Sequence, residues 1–130
     1  MMDEIDNSSG TRDKSKYDLT ERTAKLGENV ILFARSMTLD SITSPLVTQL
    51  VRSATSVGAN YGEANAAGSK KEFLYRISLC NREVRETKHW LRMLAVAILA
   101  RKEAARVLWK ESHELNLIFS SIHSKGKANP

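Results

Sequence analysis

The chain has one cysteine, two prolines and six glycines in 130 residues. A lone Cys80 has no partner within its own chain, which excludes a disulfide scaffold and suits a reducing compartment. So little Gly and Pro leaves too few tight turns for a many-stranded sandwich, and excludes a collagen-like repeat. Long apolar runs are also missing. The longest, Met93 to Ala100, is eight residues, against the roughly 20 that a membrane helix needs. The start, Met1-Met2-Asp3-Glu4, is acidic where a secretory leader would be basic, so the Asn7-Ser8-Ser9 sequon is idle. These absences point to a soluble cytoplasmic protein with no membrane association. What is present, 42% hydrophobic and 27% charged residues, is the composition of one compact globular domain.

Residues 1–16 are polar apart from Ile5 and two methionines, and read as a solvated arm; 124–130 read as a basic, frayed tail. Between them, apolar residues recur at helical spacing in four stretches, with no sustained period-two alternation. The first carries Leu19, Leu26, Val30, Phe33 and Met37, beginning near Asp18 or Thr20. The second is expected to open with Ser44 as N-cap and Pro45 at its first position. It places Val47, Leu50, Ala54, Val57, Tyr61 and Ala64 on one seam and ends near Gly68. The third begins at the capping-box sequence Ser69-Lys70-Lys71-Glu72. Its seam alternates by fours and threes through Phe73, Ile77, Cys80, Val84, Thr87, Leu91, Leu94 and Ile98. The fourth, from about Lys102 to His123, carries Val107, Leu108, Leu115, Ile118, Phe119 and Ile122. The pattern predicts an all-α, antiparallel up-down four-helix bundle over residues 17–123.

Charge is unevenly placed. Between Ser69 and Lys102 there are nine basic residues and three acidic ones, a surplus of six; the rest of the chain is one charge negative. Arg82, Arg85, His89 and Arg92 follow one another at three, four and three, on a face displaced from the apolar seam. Such a ridge, extended by Lys88 and by Lys70, Lys71 and Arg76, could follow a phosphate backbone. The opposing reading is an ordinary solvated face, neutralised locally by pairs such as Arg82 with Glu86 and Glu83 with Lys88. No aromatic array interleaves the basic residues, so base stacking along a single strand is not indicated. Trp90 and Trp109 read as packing anchors.

Helix two carries a polar stripe, Ser53, Ser56, Asn60 and Glu63, beside small residues that include Gly58 and Gly62. Each helical glycine costs about 1 kcal/mol against alanine, so close approach of another helix is the expected compensation. Catalysis finds little support. Arg82 with His89 and Arg106 with His113 match the Arg-to-His spacing of helical HEPN-class ribonucleases, but about one such match arises by chance in a chain of this composition. No metal-ligand spacing surrounds His89, His113 or His123, no phosphate-cradling glycine loop is present, and no cofactor is expected.

The segment Leu50-Val51-Arg52-Ser53-Ala54-Thr55-Ser56-Val57-Gly58-Ala59-Asn60-Tyr61-Gly62-Glu63-Ala64 closely resembles the bacterial four-helix-bundle proteins encoded in 23S ribosomal RNA intervening sequences. The resemblance continues through Ser69-Lys70-Lys71-Glu72-Phe73, Arg82-Glu83-Val84-Arg85-Glu86-Thr87 and Trp90-Leu91, opens at Tyr17-Asp18-Leu19, and covers roughly Tyr17 to Ile122. His89 departs from it, standing where an aromatic or hydrophobic residue is common. The resemblance implies a homopentamer without known enzymatic activity, in which Arg52, Ser53, Ser56, Asn60 and Glu63 organise the bundle and its neighbours. The family is related to the accessory variability protein of diversity-generating retroelements, which implies RNA, DNA or a reverse transcriptase as partners to consider.

Overall fold

The computed structural model describes residues 18–129. The expected arm at 1–16, and Tyr17, lie outside them. Four helices follow one another: α1 (Leu19–Arg35), α2 (Thr43–Asn65), α3 (Lys70–Ala97) and α4 (Lys102–Ala128), with a short 3-10 turn (Leu99–Arg101) before α4. No strand occurs among the described residues. Short connections force the antiparallel up-down arrangement that the sequence predicts.

The core is the four seams brought face to face. Leu26, Val30, Leu50, Val57, Ile77, Val84, Leu91, Leu94, Leu115 and Phe119 are essentially sealed from solvent. Each such side chain contributes about 1.5–3 kcal/mol by leaving water. The seam of α3 is buried from Ile77 to Leu94, while Phe73 and Ile98 are half-buried at its ends. Cys80 belongs to this core, and burial pushes its thiol up to about 12, so it is an inert packing residue. Val107 departs from expectation. It lies outside the α4 seam and is 65% exposed, because Ala105 and Leu108 take the inward positions.

Helix starts follow local hydrogen-bond chemistry. Asp18 caps α1 by accepting from the Glu21 amide at 3.1 Å, and Ser69 caps α3 by accepting from the Glu72 amide at 3.1 Å. Glu72 reaches back to the Gly68 amide at 3.3 Å, one residue beyond the usual capping-box return. For α2 the expected Ser44 cap is not used. Asp40 accepts from the Ile42 and Thr43 amides and from the Thr43 hydroxyl, all within 3.0 Å. The helix therefore begins slightly early, and it ends at Asn65, short of Gly68. These bonds, chiefly from Thr43, hold the Asp40 carboxyl below its ordinary range.

A depressed carboxylate pKa stabilises the fold above the unfolded-chain value near 4, and that share is lost as pH falls through the lower folded value. Asp40→Asn should therefore lower the melting temperature at pH 7 and bring it closer to wild type as pH falls below 4. Parallel melting curves for the two proteins would sink the cap.

Glycine settles one helix contact. A Cβ on Gly58 would stand 3.4 Å from the Thr23 hydroxyl, and one on Gly27 would stand 3.5 Å from the Thr55 Cα. These two positions let α1 and α2 approach closely. Gly62 has open space where a Cβ would be, so close approach within the bundle does not explain it. At the far end, α4 runs five residues beyond His123, so residues 124–128, expected to fray, are helical. Gly126 sits over Leu74 there.

Candidate nucleic-acid interface

Two arginines tie the bundle together by the same device. Arg52 of α2 reaches across to α3, where its guanidinium contacts Glu83 at 3.4 Å and Glu86. Arg22 of α1 reaches across to α4. It makes a bidentate pair with Glu111 at 2.7 and 2.9 Å and a further contact with Glu114 at 2.5 Å. Both acceptors are carboxylates three apart on one helix face, and both arginines precede a buried hydroxyl residue, Thr23 or Ser53. The Ser53 and Thr87 hydroxyls meet at 2.9 Å between α2 and α3. The bidentate contact with Glu111, more than any other influence, raises the pKa of Arg22 further above its already high value.

The sequence-level stripe on α2 thus separates into parts. Arg52 and Ser53 bind α3. Ser56 and Asn60 turn back to their own helix, donating to the Arg52 carbonyl at 2.7 Å and the Ser56 carbonyl at 3.0 Å. Glu63 lies exposed on the surface.

The Arg52 clamp decides the electrostatics of α3. Its inner flank holds Glu83, a buried residue, and Glu86 against Arg52. The expected Arg82–Glu86 and Glu83–Lys88 pairs are accordingly not made. On the outer face Arg82, Arg85, His89 and Arg92 are all exposed. Among the described residues no carboxylate approaches Arg82, Arg85 or Arg92 within 4 Å. From Arg82 to Arg92 the ridge is about 15 Å long at 1.5 Å per residue.

The remaining basic residues divide. Lys70 and Lys71 are exposed at the start of α3. Arg76 is half-buried, with its guanidinium 5.7 Å from the Tyr75 ring centre. Lys88 faces α4 and lies off the ridge. Its ammonium is 2.9 Å from His113 Nδ1, donates to Asn116 Oδ1 at 3.3 Å and lies 4.9 Å from the centre of the Trp109 ring. His113 also stacks on Trp109, at 5.0 Å and 12°. Of the two Arg–His spacings seen in the sequence, His89 edges onto Trp90 and Arg106 contacts Glu103. Among the described residues no cluster of three or more His, Cys, Asp or Glu could hold a metal, and no helix is long and apolar enough to cross a membrane.

The second clamp escaped the sequence reading. Its signal was present as a repeat, Arg22-Thr23 and Arg52-Ser53 answering Glu111/Glu114 and Glu83/Glu86 respectively. Spacing along the chain does not reveal which arginine meets which pair.

The chain matches the 23S rRNA-intervening sequence protein family over residues 15–121 and belongs to that family. Among solved structures it is similar to a protein of unknown function from the S23 ribosomal protein family of Bacteroides thetaiotaomicron. That likeness has a TM-score of 0.73 at 24% identity, covers 80% of this chain and 96% of the other, and shows the shared fold. No curated protein is significantly similar to the chain.

Proposed function

We propose that this protein is a non-enzymatic, oligomeric bundle that binds structured RNA or a nucleic-acid complex through the outer face of α3. One observation carries the reading. Arg52 draws away two carboxylates that could neutralise the ridge, and among the described residues no other carboxylate pairs with the exposed Arg82, Arg85 or Arg92. Exposed arginines at helical spacing suit phosphate oxygens, which they can contact bidentately. Lys70 and Lys71 extend the track toward the start of α3, with Arg76 at its margin. Lys88, turned toward Trp109 and His113 of α4, lies beside the track and not on it. The family's association with 23S rRNA intervening sequences agrees with an RNA partner. Assembly would repeat the ridge and raise avidity without any new contact.

Titration against structured RNA and duplex DNA over a salt series tests this. Arg82→Glu with Arg85→Glu should weaken binding about tenfold or more near 50 mM salt and flatten the salt dependence by about two counterions. Undetectable wild-type affinity under those conditions, or indifference to the double reversal, would remove the ridge from consideration.

A second reading, a scaffold that holds a partner protein, has its own support. Arg101 donates to the Ser36 hydroxyl at 2.7 Å, which brings the α1–α2 and α3–α4 connections to one end of the bundle. Ile42, Val96 and Leu99 lie exposed around that end. A partner retained through nuclease treatment, with no direct binding of purified RNA, favours the scaffold.

A further inference from the structure

Beside the end of the ridge, α3 and α4 enclose an open cleft of about 370 Å³, lined by Leu91, Arg92, Ala95, Lys102, Ala105, Arg106 and Trp109. That volume is within the range of small-ligand sites, about 300–1,000 Å³. Its chemistry is divided. Leu91, Ala95, Ala105 and Trp109 supply an apolar lining with one aromatic ring, while Arg92, Lys102 and Arg106 bring three cations to it. Among the described residues Arg92 and Lys102 have no carboxylate within 4 Å, and the one that reaches Arg106 is the highly exposed Glu103, at 3.4 Å. Such a lining suits a flat, largely apolar group that carries negative charge beside it.

The indole is held in place. His113 and the Lys88 ammonium each lie about 5 Å from the Trp109 ring centre and within 2.9 Å of one another, so they share one side of it. Trp109 lines the cleft, whereas Lys88 and His113 do not. Arg92 belongs both to the cleft and to the ridge.

We infer that the cleft receives one unpaired nucleobase, with its flanking phosphates on Arg92, Lys102 and Arg106. This rests on the reading of the ridge as a phosphate track. A continuous duplex keeps its bases stacked and can occupy the ridge alone. A loop, bulge or single strand can place a base against the cleft wall as well, so unpaired RNA binds more tightly than duplex of equal charge.

The test compares a short oligouridylate with a blunt RNA duplex of the same phosphate count, at matched salt, on the full chain. Ala95→Leu projects a larger side chain into the cleft without altering charge, and Trp109→Leu removes the ring. Each should lower oligouridylate affinity about tenfold and change duplex affinity less than twofold. Because Trp109 also packs against the core, Ala95→Leu decides the matter if the Trp109 variant fails to fold. Equal effects of Ala95→Leu on both probes, or no effect on either, overturn the cleft and leave the ridge to be judged by its own charge reversals. Absence of binding by either probe near 50 mM salt overturns both.

Discussion

Arg22→Ala is expected to destabilise the bundle by about 2 kcal/mol, between the cost of losing a surface ion pair and that of breaking a buried one. It should appear as a reduced urea midpoint at unchanged slope. The size follows from position. Packing between α1 and α4 is the thinnest of the side-by-side helix contacts. Across that seam Arg22, with only 18% of its side chain exposed, satisfies two carboxylates. Removing the guanidinium leaves Glu111, about two-thirds covered, without its bidentate partner. Glu114 is 66% exposed and can turn to water, which keeps the cost from rising further. A loss below about 1 kcal/mol, the level of a surface pair, would mean that apolar contact alone closes the seam.

Arg52→Ala should cost about 2 kcal/mol, within the range for losing hydrogen bonds to a charged group, and more than Glu83→Gln. The two partners are unequal. Glu83 keeps 11% of its side chain exposed, whereas Arg52 keeps 46% and can be solvated when alone. Removing the arginine strands a buried carboxylate; removing the carboxylate's charge strands little. The double variant should accordingly be more stable than Arg52→Ala alone, and the order of the three midpoints checks the argument. A second consequence is functional. Glu86, released from Arg52, lies four residues from Arg82 on the same helix and is free to neutralise it. Arg52→Ala should thus weaken nucleic-acid binding although Arg52 is not on the ridge. Unchanged affinity in a folded Arg52→Ala protein would separate the clamp from the ridge.

Periodicity made the bundle legible. The four-and-three alternation from Ile77 to Leu94 is a direct image of one buried face, and helix packing preserves it. Val107 shows where the image fails: adjacent apolar residues at 107 and 108 cannot both face inward, and Ala105 fixes which one does. Capping was legible where the capping side chain stands directly before its helix, as at Ser69. It was hidden at α2, where Asp40 acts from the connection ahead of a plausible Ser44-Pro45 start. The ridge residues were visible by spacing, but the diversion of Glu86 away from them was not. Local rules pair Glu86 with Arg82 four residues away, whereas the fold gives it to Arg52, thirty-four residues away. The cleft was invisible for a related reason, since its lining joins two helices across the α3–α4 turn.

The two clamps also divide their own charges between the halves of the chain. Both arginines belong to the first helical hairpin, and all four accepting carboxylates belong to the second. Two first hairpins placed face to face would set arginine against arginine, and two second hairpins would set carboxylate against carboxylate. Only unlike halves satisfy both sets of charges. The clamps thus match a first hairpin to a second one and give no such match between two copies of the same hairpin.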